Sequence, residues 1–153
     1  MFMIDKNYEI TQRTSQFFAA QLMTREWAQP IDAEHRLFTA SSDVKDARGH
    51  TLVTAYPLLR PDGQWSLLLI NRDQENSHAV SIAFHDSDNR DHYLAGPVTM
   101  ITFGKAQYQW HPAAKSGHAD PAGPAATSAV TGSRDALYAL PPASINILRG
   151  KVE

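Results

Sequence analysis

Between residues 11 and 28, TQRTSQFFAAQLMTREWA, the apolar residues Phe17, Phe18, Leu22 and Met23 fall on one side of a helical repeat. Ala19 and Ala20 add helix propensity, Trp27 closes the stripe, and Thr14 or Ser15 stands where an N-cap belongs. Pro30 ends the helix, because the residue before a proline is pushed out of the α region. After Pro30 the helical period vanishes. Leu37–Ala40 is a short strand candidate, and Asp43–Gly49 (DVKDARG) is turn chemistry. Thr51–Leu59 is rich in β formers, with Pro57 at an edge or bulge. Arg60-Pro61-Asp62-Gly63 places Pro second and Gly fourth in a turn, so it joins Thr51–Leu59 to Gln64–Asn71 as a β-hairpin. The unbroken Leu67-Leu68-Leu69-Ile70 predicts a strand covered on both faces.

The second half continues in short strands. His78–Phe84 alternates, with Val80, Ile82 and Phe84 on one side, and Val98–Phe103 alternates again before Gln107–Trp110. His111–Gly132, rich in Pro, Gly, Ala, Ser and Thr, predicts a long ordered surface loop or flap. Leu137–Leu140 and Ser144–Leu148 close the chain as two strands. The expectation is a mostly β fold: an antiparallel β-sandwich of seven to eight strands with one N-terminal helix. Residues 1–30 form an extension and helix, and residues 31–153 the sandwich domain.

Length and charge narrow the functions. At 153 residues the chain is one domain, too short for a (β/α)8 barrel of roughly 200 residues or more. The 14 basic and 16 acidic residues give a net charge of −2, without the basic excess of a nucleic-acid binder. There are no cysteines, so disulfides and thiolate metal sites are excluded. No stretch has the roughly 18 apolar residues of a membrane span. Met1–Lys6 lacks the basic and then apolar pattern of a signal peptide, so the chain reads as cytoplasmic unless it is a fragment of a longer exported protein.

Candidate chemistry is sparse. The seven histidines show no H-E-x-x-H spacing, and G-x-S-x-G, G-x-x-x-x-G-K-[ST] and G-x-G-x-x-G are absent. Asp86, Asp88 and Asp91 resemble the opening of a calcium loop, but Asp91 holds the sixth position, where glycine is required, and Pro97 holds the twelfth. A solvated turn is the plainer reading of DSDNRD, so no cofactor is expected, with calcium at this loop the weaker alternative. Tyr108 and Trp110 alternate on a strand beside the Pro/Gly segment. They are the candidate platform for a sugar, since an aromatic ring offers an apolar body to the C–H face of a pyranose. Packing against the loop is the competing reading.

Several stretches resemble the C-terminal end of retaining glycoside hydrolases with a (β/α)8 barrel, of the xylosidase-like (family 39) and arabinofuranosidase-like kind. They are Ser15–Leu22, Val53–Tyr56, the run Arg60–Asp73 (RPDGQWSLLLINRD) and the ending Leu140–Gly150 (LPPASINILRG). In such enzymes a last barrel helix runs into a β-sandwich packed on the barrel, and the catalytic glutamates lie on barrel strands that this chain lacks. No catalytic residue carries over; Glu26 and Glu34 match neither role. The resemblance implies a non-catalytic accessory domain with a structural or docking role in a carbohydrate-active protein, partnered by a glycoside hydrolase catalytic domain or by a second copy. If the helix has no barrel to cover, Phe17, Phe18, Leu22 and Trp27 must pack on the sandwich or form an association surface. A carbohydrate-binding module acting on polysaccharide through exposed aromatics is the alternative, and a small enzyme with an unrecognised site is a second one. No nucleic-acid or membrane partner is expected.

Overall fold

The run Leu67-Leu68-Leu69-Ile70 has no polar side to turn to water, and the chain covers it on both sides within a six-stranded antiparallel sheet. The computed structural model describes residues 1–113 and 117–153. In chain order the elements are β1 (Phe2–Ile4), β2 (Ile10–Arg13), helix α1 (Ser15–Gln21) with a π-helical continuation Leu22–Trp27, β3 (Arg36–Leu37), β4 (Val53–Leu59) and β5 (Trp65–Asn71). There follow β6 (His78–Val80), β7 (Phe84–His85), β8 (Asp91–His92), β9 (Leu94–Phe103), β10 (Tyr108–His111), β11 (His118–Ala122), β12 (Ala126–Gly132), β13 (Tyr138–Leu140) and β14 (Ser144–Val152). The main sheet runs β12-β9-β14-β5-β4-β3, and four two-stranded pairs surround it: β1-β2, β10-β11, β13-β6 and β7-β8. The fold is mostly β, antiparallel and sandwich-like, with one helix, as the sequence pattern predicts.

Side chains alternate across the sheet, so each long strand feeds two cores. On one face Leu67, Leu69, Val98, Met100 and Leu148 meet Val80, Tyr138 and Leu140 of the small β6-β13 layer. On the other, Leu68, Ile101, Phe103 and Ile147 meet Phe18 and Leu22 of the helix. The helix is fastened at both ends. Near its start the Phe18 ring stacks on Phe103 with centroids 5.3 Å apart. At its end the Glu26 carbonyl, left without a helical donor, accepts from Arg60 Nη1 at 2.9 Å and Arg149 Nη1 at 3.3 Å. Arg149 also pairs with the Glu26 carboxylate at 2.9 Å, and Arg60 with Asp62 at 3.1 Å.

The expected association surface is therefore largely internal. Phe18 and Leu22 are only 4% and 3% exposed, turned onto the sheet of their own chain. Phe17 and Trp27 are half-buried beside them, and Trp27 Nε1 donates to the Tyr56 carbonyl at 3.0 Å.

Three other expectations need correction. His111–Gly132 is not one long loop: among its described residues it holds β11 and all of β12, which pairs with β9 over seven residues. A sheet edge of small exposed side chains, ATSAVTG, shows no apolar alternation to mark it. His78–Phe84 splits into β6 and the start of β7, although Val80, Ile82 and Phe84 do share the core face. The strands, fourteen among the described residues, outnumber the seven or eight expected because many pairings are only two or three residues long.

Candidate functional site

An open groove of about 1140 Å³ lies where the end of β9, the turn into β10 and the entry to β14 converge. The turn is tight: the amides of Gln107 and Tyr108 both donate to the Gly104 carbonyl, at 2.9 and 3.0 Å, and Gly104 N donates to Gln107 Oε1 at 3.0 Å. Space at Gly104 is tight, since a Cβ there would stand 3.0 Å from the Ser144 Cβ. The turn carries Tyr108 and Trp110 to the groove, and Pro141 and Pro142 form part of its wall.

The two aromatic residues do different work. Tyr108 is half-buried, its ring 6.1 Å from both Phe18 and Phe103. Trp110 is 43% exposed. The β10-β11 register slips between them, so the simple alternation read from the sequence does not hold. The Trp110 ring is seated on Gly117, where a Cβ would meet its Cζ2 at 2.6 Å. Sequence reasoning missed Gly117 and the groove residues Gln74, Glu75, Lys105 and Gln109; all lie in turns or on a short strand, and no motif marks them.

The three aspartates do not converge on one cation. Asp86 caps its own turn, accepting from the backbone amides of Asp88 and Arg90, both at 2.9 Å, and its Oδ2 lies 3.0 Å from His92 Nε2. These contacts, the Arg90 amide first, lower its pKa to about 2. Arg90 bridges Asp86 and Asp88, at 3.2 and 2.7 Å, while Asp91 turns to His85 at 2.7 Å. A guanidinium therefore occupies the place between Asp86 and Asp88 that a calcium ion would need. Among the described residues no group of three or more histidines, aspartates or glutamates is arranged to hold a metal.

The residues of the hydrolase-like stretches meet at one end of the sheet. Asn71 and Ser144 are cross-strand partners, both buried. Asn71 Nδ2 donates to the carbonyls of Asn76, Leu140 and Pro141, at 3.0, 3.1 and 2.8 Å. Ser144 Oγ donates to Pro141 O at 2.6 Å and accepts from Asn146 Nδ2 at 2.8 Å, while Thr102 Oγ1 donates to Asn146 Oδ1 at 2.9 Å. Asp73 accepts from the amides of Glu75 and Asn76, both at 3.0 Å, and lies 3.0 Å from His78 Nε2. Those backbone donors, with the Asn76 and His78 side chains, hold its carboxyl well below the usual range.

No family model and no curated protein matches the chain. Among solved structures it is similar to the thermostable GH51 α-L-arabinofuranosidase of Thermotoga petrophila RKU-1, at 12% identity and a TM-score of 0.44 over 67% of this chain. It is similar also to the GH51 arabinofuranosidase of Xanthomonas axonopodis pv. citri, at 19% identity and a TM-score of 0.43 over 76%. The chain spans about a fifth of each, 20% and 21%. A likeness of that size fixes neither family nor activity. No helix among the described residues is long and apolar enough to cross a membrane.

Proposed function

We propose that this chain is a non-catalytic accessory β-domain of the glycoside-hydrolase type, structural in role and built to dock beside a catalytic domain. One observation carries the reading. The motif residues Asn71, Asp73, Pro141 and Ser144, which hydrolase sandwiches share, point their polar atoms into this fold and hydrogen-bond there. The side chains of Asn71, Asp73 and Ser144, engaged in that way, position backbone and are not available to a substrate. Among the groove's described lining residues Glu75 is the one carboxylate, whereas retaining glycoside hydrolysis uses two, about 5–5.5 Å apart.

The docking surface differs from the one first expected. Phe18 and Leu22 serve the fold, and Ile4 and Ile10 of the N-terminal hairpin and Leu37 at the β3 edge are among the exposed apolar residues left to meet a partner. The test is release of nitrophenol from aryl α-L-arabinofuranoside and aryl β-D-xyloside by the purified chain. The expected result is no saturable release. Saturable turnover that disappears in Glu75→Gln would overturn the proposal and make the groove an active site.

A further inference from the structure

We propose that the groove beside Trp110 is a binding site for a neutral oligosaccharide, with Trp110 as the stacking platform and Gly117 as the residue that positions it. The inference goes beyond the structural role above and does not depend on it.

The first argument is the state of Trp110. A large aromatic ring left 43% exposed forgoes much of its burial free energy, yet this ring is not loose. Its benzo edge rests against Gly117, so closely that a Cβ at that position would push the ring aside. The ring is thereby oriented before any ligand arrives, which lowers the ordering cost of binding. Its exposed part borders the groove.

The second argument is the lining. Gln74, Gln107 and Gln109 border the groove, and a primary amide both donates and accepts, as a sugar hydroxyl does. Gln107 has its oxygen engaged by Gly104 N and keeps its NH2 for a ligand. Glu75 and Lys105 contribute one charge of each sign, so the described lining is balanced and does not select a polyanion. At about 1140 Å³ the groove exceeds the roughly 300–1,000 Å³ typical of small-molecule pockets, giving room for a chain of rings.

The third argument separates a saccharide from a proline-rich peptide, which also docks on aromatic surfaces. A polyproline helix packs into an aromatic-lined groove. Among the described lining residues one ring stands free, because Tyr108 is held in the Phe18–Phe103 cluster. A single platform flanked by amides suits one stacked pyranose or furanose with its neighbours hydrogen-bonded alongside.

The test uses the intact chain in native gels cast with soluble xylan, arabinan or mixed-linkage β-glucan, with tryptophan fluorescence titration as a second readout. At least one polysaccharide is expected to retard the protein. Trp110→Ala should weaken binding about ten-fold or more, the range of a central aromatic contact. Gly117→Val, which unseats the ring, should weaken it in the same direction. Tyr56→Ala, an equally exposed aromatic outside the groove (46%), should bind as the parent does. Far-UV circular dichroism confirms that each variant folds. Absence of retardation by all three polysaccharides, retardation unchanged in Trp110→Ala, or saturation by a proline-rich decapeptide where the glycans give none would each overturn the proposal.

Discussion

Replacing Asn71 by alanine should be among the most damaging single changes to this domain, and the structure sets the size of the effect. Asn71 is 1% exposed. Its Nδ2 serves the carbonyls of Asn76, Leu140 and Pro141, and its Oδ1 accepts from Asp73 N at 3.0 Å. Pro141 O keeps a second donor, Ser144 Oγ, and stays satisfied. The buried carbonyl of Leu140 loses the amide, and a buried polar group left unpaired costs about 1–3 kcal/mol, whereas Asn76 is exposed and its carbonyl turns to water. That group, with the lost Asp73 contact at about 1 kcal/mol, gives about 2–4 kcal/mol, against a total stability of about 5–15 kcal/mol for a typical domain. At about 2–4 °C per kcal/mol the melting temperature should fall by about 4–16 °C. Urea unfolding followed by far-UV circular dichroism and tryptophan fluorescence measures the change, read as a shift in midpoint at unchanged m-value. Asn71→Asp adds an internal control. At neutral pH it turns a carboxylate oxygen toward three carbonyls and should be no more stable than the alanine variant. On acidification the protonated carboxyl regains a donor, and the gap to the parent should narrow. If Asn71→Ala stays within about 1 kcal/mol of the parent, the Asn71-Arg72-Asp73 segment is not a structural lock, and the accessory-domain reading loses its support.

Other substitutions probe the remaining contacts. Gly123 has φ +82°, and a Cβ there would meet the Phe18 ring at 2.3 Å, so Gly123→Ala combines left-handed strain with overpacking and should cost about 2–4 kcal/mol by urea midpoint. Tyr138 buries its hydroxyl without a partner, and burial raises its pKa; Tyr138→Phe should leave the melting temperature unchanged or higher, and a fall of several degrees would refute this. Arg60 is 8% exposed and grips both the Glu26 carbonyl and Asp62, so Arg60→Ala should cost about 2–3 kcal/mol, whereas Glu26→Ala breaks only the half-exposed pair with Arg149 and should cost less than about 1 kcal/mol. Comparable losses in the two would show that the arginine cap does not fasten the helix. Asp73 and Asp86 both titrate below their ordinary value of 3.8, Asp86 at about 2. Their stabilisation is complete above pH 3.8 and is lost as pH falls through 3.8 toward 2, because the unfolded state takes up protons first. The Asp73→Asn, Asp86→Asn double variant should therefore show a flatter loss of stability between pH 4 and pH 2 in acid titrations followed by fluorescence, and an unchanged slope would refute the assignment.

What could be read from the sequence follows how strongly each segment is constrained by burial. Leu67–Ile70 announces a doubly covered strand because no arrangement of four consecutive large aliphatics leaves one face wet. The helix is legible for the same reason, through Phe18 and Leu22. The Arg60–Gly63 turn is legible because Gly63, at φ +77°, occupies a conformation other residues resist. β12 was not legible, since seven small residues at a sheet edge bury little and leave no periodic trace. The groove was half legible: an exposed Trp110 follows from its place beside a Pro/Gly-rich segment, but its seat on Gly117 depends on a hairpin that composition does not reveal. The arrangement of the three aspartates was not legible for a related reason. Asp86, Asp88 and Asp91 have suitable ligand chemistry, and only the fold shows that Arg90 folds back between two of them.

The two sheet faces divide the labour, and the groove sits where their solutions meet. One face carries the polar lock of Asn71, Ser144, Asn146 and Thr102, which fixes the Leu140–Ala143 crossing. The other carries the helix, held by Phe18 on Phe103 and by the arginine cap on Glu26. Thr102 belongs to the first set and Phe103 to the second, and both line the groove with Ser15 of the helix and Pro141 of the crossing. The groove's walls are thus set by residues of both sets, while the exposed ring among its described lining residues lies on the β10-β11 hairpin. A rigid wall opposite a separately seated aromatic residue is an arrangement in which Trp110 can change without loss of the fold. Binding and stability are therefore expected to separate cleanly, Trp110→Ala affecting the first and Asn71→Ala the second.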